Sequence, residues 1–157
     1  MGVSNRTLAA GAALLLVGGL APIVAAPPQR SAERGVRRTL IRLNDLLGRR
    51  DMAILDEFVD SADTLLVGSA RQDQARGRAQ LEAHFRNDFE RPESFSFAWR
   101  EVDVAVRGPV AWLHAEGELV AHGDEGDRRE PYRLTGVLEL HGGKWLWRLF
   151  HGSQPAA

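Results

Sequence analysis

Apolar positions recur at Val36, Leu40, Leu43 and Leu47, spacings of four, three and four that make one stripe of an amphipathic helix. Gly48 stops that helix as a C′ residue. Asp51 is placed to N-cap a second helix with Ile54, Leu55, Phe58 and Val59 on its buried face. Thr64 to Val67 reads as a short apolar strand, and Gly68 to Gly77 as a polar loop. Arg78 to Glu90 reads as a third helix with Leu81, Phe85 and Phe89 on one stripe, stopped by Pro92. From Ser94 onward the period changes to two. Phe95 to Val106 and Val110 to Ala121 are long strands joined at Gly108-Pro109, and residues 123–129 form a charged, glycine-containing loop.

The strongest local signal is YRLTGVLELHGGKWLWRLFHGS, Tyr132 to Ser153. Two apolar runs flank Gly142-Gly143, the residues a type I′ hairpin turn needs at its centre. Strict pairing from that turn sets Leu140 opposite Trp145, Leu138 opposite Trp147, Gly136 opposite Leu149 and Leu134 opposite His151. Glu139 and Arg148 lie diagonal on the other face, placed for a cross-strand ion pair. Helices first and long antiparallel strands afterwards predict an α+β domain with the helices on one sheet face.

The same stretch carries a resemblance. R-x-T-x-V, a glycine turn and W-x5-H-x-S resemble the closing hairpin of nuclear transport factor 2-like domains, in particular the SnoaL-like branch and the association domain of calmodulin-dependent kinases. LLVGSARQDQARGRAQLEAHFRNDF resembles the segment leading into that branch's third helix, and GPVAWLHAEGEL its mid-sheet strand. The resemblance spans residues 36–155 and implies three N-terminal helices on a strongly curved, mostly antiparallel sheet, forming a cone with an internal cavity. The superfamily includes isomerases, cyclases, hydrolases, binding proteins and assembly modules, so the resemblance implies a shape more than a reaction.

Composition adds a boundary and several exclusions. Residues 1–26, with Arg6 ahead of an apolar run ending in Val24-Ala25-Ala26, read as a secretory signal, which predicts an exported (periplasmic or secreted) protein starting near Ala26. Residues 27–30 read as a linker and 31–157 as the domain. The run is almost long enough to span a bilayer, but its glycines and Pro22 favour a cleaved signal, with no stable membrane insertion afterwards. A net charge of −1 gives no footprint for nucleic acid. The absence of cysteine excludes disulfides, thiolate metal sites and a cysteine nucleophile. The histidines show no metal spacing, there is no phosphate-binding glycine loop or nucleophile elbow, and the pattern calls for no cofactor.

Strand parity selects polar groups for the cone. Arg100 is expected opposite Gly117, where the missing side chain leaves room for a guanidinium or a ligand. Tyr132, the single tyrosine, and His151 point the same way, and Trp147 shares their face. Arg133, from the R-x-T motif, falls opposite His151 unless a bulge changes the register. Asp103, Glu116, Glu118 and Glu139 fall outside, so an acid–base carboxylate would have to enter from a helix. Three readings follow. The first is a binding site for a small, partly apolar molecule, with Arg100 able to pair an anionic one. The second is an acid–base enzyme of isomerase, cyclase or hydrolase type using His151 with Tyr132 or Arg100. The third is an assembly module with a filled cone. The outer face, with Trp99, Trp112, Val137, Leu146 and Phe150, is expected to form a homodimer.

Overall fold

The computed structural model describes residues 29–70 and 73–155. The expected signal at 1–26 lies outside them. Among the described residues no helix is long and apolar enough to cross a membrane.

Helix α1 is Gln29–Gly48, so the second half of the expected linker is helical. Asp51 caps the next element as expected, accepting from the Ala53 N–H, but that element is a short 3₁₀ helix, Met52–Glu57. Strand β1, Leu65–Val67, pairs antiparallel with β2, Gln74–Arg76, three residues expected to belong to the polar loop. Helix α2 is Gly77–Phe89. Four long strands follow: β3 Ser94–Arg107, β4 Val110–Gly123, β5 Gly126–His141 and β6 Lys144–Ser153. The charged loop expected at 123–129 is a tight turn instead, because Gly123 and Gly126 already pair. Charge there marks exposed strand ends rather than loop. The six strands form one curved sheet in the order β2-β1-β6-β5-β4-β3, with β1 parallel to β6 and the other neighbours antiparallel.

Helix α1 buries Val36, Leu40, Leu43 and Leu47 against the sheet. Its polar residues tie the contact together. Asn44 Oδ1 accepts from the Phe97 N–H at 2.6 Å on the free edge of β3, and Thr39 donates to the Trp145 carbonyl at 2.9 Å. A side chain on an edge N–H removes a pairing site that an exposed edge strand would offer to another chain.

Two β-bulges decide which side chains enter the cone. At the closing hairpin Leu140↔Trp145 and Leu138↔Trp147 pair as expected. Arg148 is then an extra residue, and the register continues as Val137↔Leu149, Gly136↔Phe150, Thr135↔His151 and Leu134↔Gly152. The expected Gly136–Leu149 and Leu134–His151 pairs are therefore replaced. Phe150 is buried inside and His151 is exposed outside. In β3, Arg100 is the extra residue between Trp99↔Gly117 and Glu101↔Glu116. Trp99, not Arg100, stands opposite Gly117, and a Cβ on that glycine would overlap the Ala98 carbonyl. The room assigned to a guanidinium is filled by the bulged backbone. The bulge also turns Phe95, Phe97 and Trp99 inward, and Phe97 and Trp99 stack at 4.8 Å between centroids.

Gly136 lies under the Trp147 ring, which is wholly buried and meets Phe150 edge-on at 5.6 Å. A methyl group on Gly136 would overlap that ring and crowd the Leu149 carbonyl. Overpacking of this kind costs about 1–3 kcal/mol. Gly136→Ala should therefore lower the denaturant midpoint with an unchanged m-value. An unshifted midpoint would show that the Trp147–Gly136 contact is not tight.

Candidate functional site

The cone is not packed shut. Trp145 and Trp147 are buried beneath the hairpin, and a cavity of about 340 Å³ remains between the helices and the sheet. Its apolar lining comes from Leu43 and Leu47 of α1, from Ile54 and Phe58, from Phe85 of α2, and from Phe95, Phe97 and Phe150 of the sheet. This volume is near the lower end of the range typical of small-molecule sites.

Tyr132, Arg128 and Glu130 reach the cavity from β5, Gln154 from the chain following β6, and Ser69 and Asp73 from the β1–β2 loop. His84, Asp88 and Arg91 line it from α2 and the residues just beyond. His84 and Asp88 are one helical turn apart, with Nε2 and Oδ2 at 3.4 Å. Arg91 Nη1 is 3.8 Å from the other Asp88 oxygen, and its guanidinium lies over the Phe95 ring at 4.9 Å. Burial pushes the Asp88 carboxyl above its ordinary range, opposed by the charges of His84 and Arg91 and reinforced by Asp73. Desolvation of the ionised form is the larger effect.

Tyr132 is buried among Phe97 and Trp99, with ring centroids 5.2 and 6.4 Å away. Its hydroxyl lies against Gly152, where a Cβ would overlap it. Burial, then the negative charges of Asp73 and Asp88, push its pKa up to about 12. At neutral pH the phenol is a hydrogen-bond donor, not a base.

Of the five side chains that the sequence nominated, Tyr132 lines the cavity and the other four do not. Arg100 is exposed on its bulge. His151 is exposed on the outer face opposite Thr135. Arg133 shares that outer face, because the β6 bulge moved His151 to it, and its Nε pairs with Glu116 Oε1 at 3.0 Å. Trp147 is core beneath the floor, its indole N–H without a partner among the described residues. Asp88 is the carboxylate that enters from a helix; Asp73 comes from the β1–β2 loop, and Glu130 of β5 is a sheet carboxylate on the cavity that strand parity did not name. Position alone could have found the pair: His84 and Asp88 lie one turn apart along one edge of the stripe Leu81, Phe85 and Phe89. Among the described residues no group of three or more His, Asp or Glu is placed to hold a metal ion.

Helices packed against a curved, open six-stranded sheet form the cone fold of NTF2-like (nuclear transport factor 2-like) domains. Residues 36–157 match the SnoaL-like domain, and the chain belongs to that family. Three solved structures are similar in fold. A proposed dehydratase of the NTF2-like family from Streptomyces avermitilis is 16% identical, with a TM-score of 0.73 over 82% of this chain and 99% of that one. An NTF2-like protein of unknown function from Pseudomonas putida is 20% identical, with a TM-score of 0.69 over 82% and 89%. A proposed scytalone dehydratase from Novosphingobium aromaticivorans is 12% identical, with a TM-score of 0.71 over 81% and 86%. The comparison with curated proteins finds no match.

With one tyrosine in the chain, phenolate absorbance reports Tyr132 alone. Alkaline titration should leave it protonated at pH 10, where a free tyrosine is half ionised, and ionise it near 12. The folded pKa lies above the unfolded one, so this group's contribution to stability is complete below pH 10 and is lost as pH rises towards 12. Half-ionisation at pH 10 in a protein with intact circular dichroism would contradict the buried placement.

Proposed function

We propose that the cone binds a small, partly apolar molecule and moves a proton on it, with His84 and Asp88 as the base pair and Tyr132 as the donor. The observation that carries this reading is one cavity holding a desolvated carboxylate against an imidazole together with a phenol that stays protonated. Proton removal from carbon needs a base and a group that stabilises the charge developing on oxygen. Asp88 accepts the proton from a carbon next to a carbonyl, and His84 is close enough to share it. The released electron pair moves onto the carbonyl oxygen, where the Tyr132 hydroxyl donates. Returning the proton to another carbon gives isomerisation. Loss of a β-hydroxyl as water, the proton coming from His84, gives dehydration. The aromatic floor favours a flat ligand body, and the mixed Arg91, Arg128, Asp73 and Glu130 rim does not demand an anion.

This replaces His151 and Arg100 as the groups on which an enzymatic reading rests. Native mass spectrometry of the purified protein should show a bound small molecule. In deuterium oxide the protein should exchange the acidic C–H of compatible ketones, and Asp88→Asn should lower the rate about 10²–10⁴-fold. Because burial disfavours the Asp88 anion, the asparagine variant should unfold at an equal or higher temperature at neutral pH. That difference should vanish as pH falls to the ordinary carboxylate value of 3.8. Ligand binding without exchange, or exchange indifferent to Asp88→Asn, would leave a binding module in place of an enzyme.

Export and self-association belong to the same proposal. The sequence at 1–26 supports secretion, and the first residue of exported material should lie near Ala26. Trp112 is 47% exposed on the outer face, near Val137 and Leu146, which supports a homodimer through that surface. Trp99 and Phe150 face inward and take no part. Sedimentation should give a dimer for the wild type and a monomer for Trp112→Glu, and a monomeric wild type would end the dimer proposal.

A further inference from the structure

Glu57 ends the 3₁₀ helix and is wholly buried, at 0% exposure. A buried carboxylate is costly unless it is paired. Its Oε1 accepts from Arg42 Nε at 2.5 Å and from Lys144 Nζ at 2.9 Å, while Oε2 has no partner among the described residues. Lys144 also donates to the Asp56 carbonyl at 3.0 Å. One carboxylate oxygen thus fixes two cations, one from α1 and one from the start of β6 beside the hairpin turn. Both line a hollow of about 240 Å³ with the buried Thr39.

Arg38, one turn before Arg42, lines the same hollow and has no side-chain partner among the described residues. Arg42 spends only its Nε on Glu57, leaving both terminal nitrogens of the fork available. Three cations therefore border this space against one carboxylate, and two are already immobilised. The surrounding surface has the same sign: residues 29–50 carry seven arginines against Glu33 and Asp45 in a chain whose net charge is −1. The hollow shares no lining residue with the cone cavity.

We propose that this hollow is a second binding site, for a phosphate-type oxyanion, in which Arg38 and Arg42 form the fork, Lys144 supplies the third charge and Glu57 holds the geometry. A planar guanidinium matches a tetrahedral oxyanion through two parallel N–H···O bonds. Pre-fixing Arg42 and Lys144 removes part of the side-chain ordering cost of binding. If Glu57 served only to fasten α1 to the turn, neither Arg38 nor an open space would be needed beside it. The oxyanion could be a free phosphate ester or the headgroup of an anionic lipid, and the two sources separate experimentally.

The test is a titration with inorganic phosphate followed through the Gly35 and Gly143 amide resonances, beside co-sedimentation with phosphatidylcholine vesicles with and without phosphatidylglycerol. Saturable shifts are expected. Arg38→Ala should weaken binding about tenfold, the loss of one charge-assisted contact. Arg34→Ala, on the same helix but outside the hollow, should leave affinity within about twofold, and neither variant should change the melting temperature. Vesicle binding without phosphate shifts, lost in Arg38→Ala and kept in Arg34→Ala, assigns the site to a lipid headgroup. Equal losses in the two variants would reduce the site to diffuse attraction by a basic surface and overturn the proposal. So would an Arg38→Ala variant that binds like the wild type, or no binding in either arm.

Discussion

A strand in a curved sheet has two faces, and one extra residue exchanges them for everything beyond it. This chain uses that device twice, at Arg100 and at Arg148. In each case the extra residue is an arginine, and the side chains turned inward are aromatic. Each bulge disturbs about one ladder hydrogen bond, worth about 0.5–1.5 kcal/mol net. Burying a phenylalanine-sized side chain is worth about 1.5–3 kcal/mol. Moving Phe95, Phe97 and Trp99 to the inner face outweighs one lost bond several-fold, and leaving Arg100 in water avoids a further desolvation cost. The same balance puts Phe150 in the floor and His151 outside. Glycines make the geometry possible, since the backbone and rings displaced by the bulges fill the space a Cβ at Gly117 or Gly136 would take.

With much of the inner face given to aromatics, His84, Asp88 and Asp73 reach the cone from outside the sheet. Only the far half of β5 contributes polar side chains from the sheet, and its phenol enters because Gly152 leaves space for the hydroxyl. Asp88 and His84 come from α2 and Asp73 from the β1–β2 loop, beside Glu130 of β5. This division separates rigidity from chemistry. The sheet supplies a floor whose side chains are fixed by packing, while α2 lays one polar edge along an otherwise apolar hollow. In that setting an ionised carboxylate loses solvation faster than His84 and Arg91 can restore it, so Asp88 is held above its usual range. The same low-polarity surroundings keep Tyr132 protonated. One environment moves both groups the same way, and the proposed mechanism gives them opposite tasks.

Much of this architecture was legible in the residues. Gly142-Gly143 fixed the last hairpin and its first two cross-strand pairs, and Glu139 and Arg148 do pair, at 2.7 and 2.9 Å. The helical stripes placed α1 and α2 to within a residue or two at most boundaries. Parity failed where a bulge intervened, because counting by twos has no term for an extra residue: Arg100 and His151 were misplaced, Trp147 is core, and Arg133 kept its expected outer face. A usable signal existed: a glycine inside an apolar strand, as at Gly117 and Gly136, marks a close backbone approach. His84 and Asp88 were overlooked for another reason. The stripe Leu81, Phe85 and Phe89 identifies only the apolar face of α2, yet a helix lying across a cone mouth also turns the positions beside its stripe towards the cavity.

The cavity itself constrains the reading of its walls. Empty space costs a folded protein about 24 cal/mol per Å³ when it is sealed and dry. A hollow of about 340 Å³ would then cost about 8 kcal/mol, comparable to the whole net stability of a typical domain. A fold of this size cannot keep such a space empty, so it is filled by water or by a ligand. Water requires polar partners, and His84, Asp88, Asp73 and Tyr132 supply them, while the Phe95, Phe97 and Phe150 floor and the Phe58 and Phe85 rings supply none. Water over that floor is poorly held. A ligand with a flat apolar body and one polar end displaces it at little loss and replaces the bound water at the wall. The arrangement that makes the cavity tolerable when unliganded is therefore the one on which the proposed function relies to turn a ligand's polar end towards Asp88 and Tyr132.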